Sequence, residues 1–210
     1  MELDRTAPDL LTGSEPLTLG GKPAGFTVLD FWRFQHSNLW DVQEEIAEFI
    51  VAKALGQDLP YNKNGWTLWD INYRGKRIEI KETGYYHSWR TDGKVSQQRT
   101  FGITKAYSRY KDNQSEFKRQ NDIYVFCLNT GETKEASNPL ELDNWRFWVV
   151  PTETINRLCG ENKTISLGRL KSITGQKDGI GYGELKEAVD RVIKVMSTGK
   201  CFTVDGMAWT

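Results

Sequence analysis

The chain has 210 residues, 38% hydrophobic and 27% charged, with a formal net charge of zero, which suits one large globular domain with modest appendages. No apolar run approaches a membrane span, and Met1-Glu2-Leu3-Asp4-Arg5 lacks the basic start and apolar stretch of a signal peptide, so a cytoplasmic protein without a membrane partner is expected. Three cysteines without CxxC spacing and two histidines leave little material for a zinc site or a serine–histidine triad.

Residues 1–25, with Pro8, Pro16, Pro23 and several glycines, predict a loosely ordered arm ahead of a single domain over 26–210 that ends in a helical extension. Phe26 to Phe34 predicts a short helix packed onto the core. Asp41 to Leu55 predicts a longer one, with Val42, Ile46, Phe49 and Ile50 as its apolar stripe and Gly56 as its stop. Glu44, Glu45 and Glu48 lie outside that stripe. At about 100° per residue, Glu45 falls about 80° from its middle and the other two farther, so Glu45 is the acid expected to look toward an interior site.

Trp66-Thr67-Leu68-Trp69-Asp70 predicts a strand, and Asn72-Tyr73-Arg74-Gly75-Lys76 a turn that reverses the chain. Arg77-Ile78-Glu79-Ile80-Lys81 then alternates, with the isoleucines on one face and Arg77, Glu79 and Lys81 on the other. The hairpin is thereby expected to end one strand on Asp70 and to carry Glu79 and Lys81 on the other. Two carboxylates beside an ammonium suit Mg²⁺ and a phosphodiester, because Mg²⁺ takes hard oxygen ligands and a lysine can neutralise charge developing on phosphate. An acid-x-Lys triplet also starts at Asp92, Glu116, Glu132, Glu161 and Glu184, and only the first has this strand context. Taken alone, the hairpin reads more readily as a solvated face with a cross-strand ion pair.

His87, Ser88 and Trp89 follow the hairpin, and Gln97, Gln98 and Arg99 precede a third strand over Thr100–Thr104; these six are candidates to contact substrate, with polar surface loops as the alternative. Residues 105–118 are polar and partly helical in pattern. Asp122 to Leu128 is almost continuously apolar, as in a strand buried on both faces and paired in parallel. Trp145 to Val150 predicts another strand, stopped by Pro151, with Thr152 capping a short helix, and Gly183 to Met196 predicts a final amphipathic helix. Cys127, Trp66, Trp69, Trp145 and Trp148 are expected in the core. Charge is uneven: residues 72–119 hold 12 bases and 5 acids, and Arg74, Lys76, Arg77, Arg90, Lys94, Arg99, Lys105, Arg109, Lys111, Lys118 and Arg119 are candidate phosphate contacts unless they form an ordinary solvated face.

A helix bearing an acid, a hairpin bearing Asp70 and Glu79-Ile80-Lys81, and then a core strand together resemble the PD-(D/E)xK, or restriction endonuclease-like, nuclease superfamily over roughly residues 41–150. Phe31-Trp32-Arg33-Phe34, Glu45-Ile46-Ala47-Glu48, Tyr85-Tyr86-His87-Ser88-Trp89 and Trp148-Val149-Val150-Pro151-Thr152 extend the similarity toward uncharacterised bacterial members. The resemblance implies an α/β (α+β-like) fold, a restriction endonuclease-like mixed β-sheet core flanked by helices. It implies Asp70 as metal-bridging aspartate, Glu79 as second metal carboxylate, the Ile80 backbone carbonyl as a further ligand and Lys81 as the lysine that positions water or stabilises the phosphate. It implies Glu45 as the helix-borne acid, with Glu48 the other candidate. Trp69 stands where the motif has its proline. The implied activity is Mg²⁺-dependent hydrolysis of DNA, with Mn²⁺ as a substitute and DNA ahead of RNA, in restriction or phage defence, by a chain that dimerises to cut both strands. The alternative is an inactive nucleic-acid-binding or protein-interaction module on the same fold.

Overall fold

The structure, a computed structural model, describes residues 11–57, 68–87, 95–96, 99–107 and 116–198. Inside the segment expected as an arm, β1 (Pro16–Leu19) and β2 (Lys22–Thr27) pair antiparallel, with Leu19 opposite Lys22 across a Gly20-Gly21 turn. Both glycines have positive φ, which a two-residue hairpin turn of this kind requires. Helix α1 (Val28–Gln35) follows and opens with a reciprocal cap: Thr27 Oγ1 accepts from the Asp30 N–H, and the Asp30 carboxylate accepts from the Thr27 N–H. The helix was expected on the core, yet none of its residues is buried. It packs on its own unit instead, with the Leu29 N–H donating to Gly13 O and the Trp32 ring against Gly13.

After a single 3₁₀ turn (Leu39–Asp41), α2 spans Gln43–Ala54. Its buried face is Gln43, Ala47, Ile50, Val51 and Ala52, while Phe49 stays exposed. That face lies about 100° round the helix from the expected stripe. The alanines explain the rotation, since small side chains let a helix seat closely on a sheet where Phe49 would hold it off.

The central sheet has the order β3-β4-β6-β7. β3 (Ile71–Tyr73) and β4 (Lys76–Gly84) form a hairpin around Arg74 and Gly75, both at positive φ. Its first strand therefore starts after Asp70, later than the expected strand over residues 66–70, and Trp69 is half-buried under the Arg77 guanidinium instead of in the core. Trp66 lies outside the described residues.

Beyond the hairpin, β5 (Thr100–Gly102) leaves the central sheet. β6 (Ile123–Asn129) is buried at every position and pairs in parallel with β4, as its unbroken apolar run implies. β7 (Trp145–Pro151) pairs antiparallel on the far side of β6. Helix α3 (Thr152–Cys159) begins directly after Pro151 without the expected threonine cap, because Thr152 Oγ1 accepts a hydrogen bond from Asn121 Nδ2. Then β8 (Thr164–Ser166) pairs antiparallel with β5, and α4 (Leu167–Thr174) and α5 (Tyr182–Ser197) complete the described chain. Sequence periodicity had indicated α5 but neither β8 nor α4.

Two apolar cores sandwich the sheet. On one face, Ile78, Ile80, Val125, Cys127 and Phe147 meet α2 and α5; on the other, Phe126, Trp148, Phe101, Leu170 and Ile155 join β5, β8, α3 and α4. The result is a mixed α/β architecture in which, among the described residues, no helix is long and apolar enough to cross a membrane. Beyond β6 the Gly131 N–H donates to Asn129 Oδ1, and a Cβ on Gly131 would lie 2.2 Å from the Ser137 Cα. Backbone cannot swing aside as a side chain can, so Gly131→Ala is expected to cost about 2 kcal/mol. The check is a lowered urea midpoint with an unchanged slope.

Candidate active site

The site forms where β4 outruns its partner. β3 pairs with β4 only from Tyr73↔Lys76 to Ile71↔Ile78, so the next backbone groups on that edge have no strand to bond. Asp70 fills the gap. Its N–H donates to Ile78 O at 2.9 Å, and its Oδ2 accepts from the Ile80 N–H at 2.7 Å. The N–H and C=O of one strand residue leave by the same edge, so the Ile80 carbonyl emerges on the Asp70 side. The aspartate thus precedes its strand by one residue, and its carboxylate still meets Ile80.

Glu79 and Lys81 project from the face opposite the buried Ile78 and Ile80, as the alternation requires. Lys81 Nζ lies 2.8 Å from Glu79 Oε1 and 3.5 Å from Glu44 Oε1 on α2. Burial, and after it the Asp70 charge, pushes the Glu79 carboxyl up to about 7 against the pull of Lys81. Burial also opposes charge on Lys81, but Glu79, Asp70 and Glu44 together outweigh it and hold the ammonium above its ordinary range. Lys81 is therefore a permanent cation in a pocket of carboxylates. Tyr124 sits beside Glu79 in the β4–β6 register, and burial followed by the Glu79 charge pushes its phenol up to about 12.

The α2 acid beside Lys81 is Glu44, whereas Glu45, the acid expected to look toward the site, is exposed. Measured from the observed buried face, Glu44 lies about 75° away and Glu45 close to the opposite side, so α2 turns Glu45 to solvent. Glu48 is half-buried and acts on the Cys127 thiol, which burial, then Glu82, Asp70 and Glu48, raise well above its usual range. Glu82 was absent from the candidates. It shares the inward face with Ile78 and Ile80, and burial followed by the Glu44 charge pushes it up to about 8. Its Oε1 is buried and finds no hydrogen-bond donor among the described residues. The same alternation that placed the isoleucines, carried two residues farther, would have placed this acid inside.

Among the described residues, several bases of this segment are paired with acids or carbonyls. Arg77 donates to the Asp122 carboxylate through Nε and Nη2, Arg74 pairs with Asp190, Lys105 with Glu161 and Lys118 with Glu116. Arg119 is buried and spends its guanidinium on the carbonyls of Ile103, Gly160 and Asn162 and on Asn156 Oδ1. Arg74 and Lys118 remain more than half exposed in these pairs, whereas Arg119 is buried. Arg99 stacks over the Tyr85 ring at 4.5 Å, and His87 is half-buried past the end of β4. Ser88, Trp89, Gln97 and Gln98, with Arg90, Lys94, Arg109 and Lys111, lie outside the described residues.

Among the described residues, no three His, Cys, Asp or Glu side chains form a ready-made metal cage. Mg²⁺ does not need one, since it commonly takes one or two carboxylates and completes its shell with water and phosphate. Asp70, Glu79 and the Ile80 carbonyl are all hard oxygen donors. The Asp70 charge helps to hold the Glu79 carboxyl above its ordinary range, a repulsion that a divalent cation relieves. The donor chemistry therefore fits this ion. Comparison with known proteins finds no matching family model, no matching curated protein and no matching solved structure.

Proposed function

We propose that this chain is a Mg²⁺-dependent nuclease of the PD-(D/E)xK type that hydrolyses phosphodiester bonds of DNA, with service in restriction or phage defence as its setting. The observation that carries the reading is the open edge of β4, where the Asp70 carboxylate, the Ile80 backbone and the Glu79–Lys81 pair converge. A mixed sheet with helices on both faces, an α2 acid beside the lysine and a buried parallel strand next to β4 agree with a restriction endonuclease-like core. Asp70, Glu79 and the Ile80 carbonyl would hold the ion, with Mn²⁺ able to replace Mg²⁺. When bound, the ion supplies Lewis acidity toward the phosphate and lowers the pKa of attacking water.

The protein groups have separable tasks. Lys81 stays protonated, so it serves as a fixed charge and N–H donor for phosphoryl oxygens as they gain charge, and not as a base. Glu79 and Glu44 tether the ammonium from two sides and so limit its positions. Glu79 must be ionised to act as a ligand, so cleavage is expected to rise with pH through about 7. A pH–rate profile from 5.5 to 8.5 at sub-saturating Mg²⁺ checks this, with the inflection moving downward as the metal concentration is raised, because bound metal competes with the proton for Glu79.

The direct test incubates supercoiled plasmid and single-stranded RNA with the purified chain and Mg²⁺, beside a sample in EDTA. Metal-dependent nicking or linearisation of the plasmid is expected, with DNA cut faster than RNA. Absence of cleavage on both substrates in Mg²⁺ and Mn²⁺ would leave the inactive binding module as the reading of this site.

A further inference from the structure

Arg99 stands apart from its basic neighbours. Arg74, Arg77 and Arg119 spend their guanidinium groups on carboxylates or carbonyls, whereas no acid, carbonyl or hydroxyl among the described residues is bonded to that of Arg99. Its contact is the Tyr85 ring, with 4.5 Å between the guanidinium carbon and the ring centroid. A guanidinium over an aromatic face is held by the ring yet keeps its N–H donors unspent. The backbone is fixed on both sides of the contact: the Arg99 carbonyl accepts from the Leu167 N–H at 2.8 Å, and the Tyr85 carbonyl accepts from the Ser96 N–H at 2.9 Å. Arg99 is half-buried, so an anion that reaches it meets a cation already oriented.

The strand decides what this cation can reach. Glu79, Lys81 and Thr83 lie on one face of β4, the face that Tyr124, Phe126 and Leu128 share in register on β6. Tyr85 continues that alternation, its N–H donating to Asn129 O and its ring packing against the same core. At about 3.3 Å per residue, Tyr85 and the arginine over it stand about 13 Å along the strand from Lys81. Thr83 is the residue between them on this face, and Glu82 lies on the opposite one, so no carboxylate of β4 interposes. Two cations so placed suit a ligand that repeats its negative charge along its length. A polynucleotide does so, with one phosphate per strand about every 3.4 Å of duplex axis, whereas a single phosphate or carboxylate reaches one of the cations alone.

We infer that Arg99, held over Tyr85, binds the nucleic-acid backbone a few phosphates away from the bond that Lys81 attends, and so positions the strand along β4. The inference rests on the nuclease reading for the identity of the polyanion. Arg99 touches no reacting atom in this arrangement, so it is a positioning residue whose loss is felt in binding and not in the chemical step. Arginine suits the task because its planar fork can give two N–H groups to one phosphate while a ring supports its face. Lysine at this position would keep the charge and lose both features.

Fluorescence anisotropy of a labelled DNA duplex of about 20 base pairs with the full chain in EDTA, from about 50 to 200 mM NaCl, measures binding without cleavage. Arg99→Ala is expected to raise the dissociation constant about tenfold at about 100 mM salt and to flatten the slope of log affinity against log salt by about 0.9, the share of one phosphate contact. Arg99→Lys should keep the parental slope and recover part of the affinity. Arg191→Gln removes the same charge from α5, across the sheet, and should leave both quantities unchanged. In Mg²⁺, Arg99→Ala should raise KM while kcat stays within about threefold of the parent. An arginine that only braces Tyr85 would lower stability without moving the salt slope, which makes the slope decisive. Parental affinity and slope in Arg99→Ala, or equal losses in Arg191→Gln, would overturn the proposal even where the parent cleaves DNA. Binding that depends on Arg99 in a chain that never cleaves would support it and remove the nuclease reading instead. A parent that binds no duplex would overturn it outright.

Discussion

Asp70→Asn should reduce Mg²⁺-dependent cleavage by on the order of 1,000-fold and leave the fold intact. Asparagine keeps an oxygen that can accept the Ile80 N–H, so the edge of β4 stays capped; what it loses is the charge a cation needs. A second readout separates chemistry from damage. The Asp70 charge helps to raise Glu79, so its removal should move the Glu79 titration below about 7, visible in carboxyl carbon shifts without metal or substrate. Lys81→Met should divide the effects differently: cleavage falls about 100-fold or more, while Mg²⁺ affinity by calorimetry changes less than about tenfold, because the ammonium competes with the cation for Glu79 instead of binding it. Glu44 is more exposed and 3.5 Å from Lys81, so Glu44→Gln should cost less than about tenfold. Cleavage by Asp70→Asn at the parental rate would assign the activity to a contaminant and end the metal-site reading.

What could be read in the sequence divides along a physical line. β6, β7 and α5 were legible because burial on two faces, or on one helical stripe, writes itself into consecutive residues such as Ile123 to Leu128. The opposed faces of β4 were legible for the same reason. Phase was lost in α2, where size suggested Phe49 for the core and close packing chose Ala47 and Ala52. That one rotation exchanged Glu45 for Glu44 at the candidate site. Partner choice was not legible at all: Thr100–Gly102 reads as a strand, but its mate Thr164–Ser166 is three residues long and carries no period. Ion pairing was equally hidden, since nothing local ties Arg77 to Asp122 or Arg74 to Asp190. At the amino terminus the Gly20-Gly21 pair carries a hairpin signal that the neighbouring prolines obscure.

Glu82→Gln should make the protein more stable by on the order of 4 kcal/mol at pH 9 but by less than about 1 kcal/mol at pH 5. Burial, then Glu44, raises Glu82 from 4.5 to about 8 in the folded chain, while in the unfolded chain it ionises near 4.5. Between these values the unfolded state has released a proton that the native state still holds, so stability falls as pH rises through the window. The loss is complete above about 8, where native Glu82 must carry a charge on a side chain whose Oε1 is buried without a donor among the described residues. Glutamine keeps the shape and cannot ionise, which flattens this part of the profile. Glu79 adds a loss of the same sign up to about 7, so the variant should still weaken somewhat across the lower half of the range. Urea denaturation of parent and variant at pH 5, 7 and 9 in EDTA measures the difference, with the metal removed because cation binding would offset the carboxylate charge. A variant that gains nothing at pH 9 would mean that Glu82 ionises in the native protein at little cost.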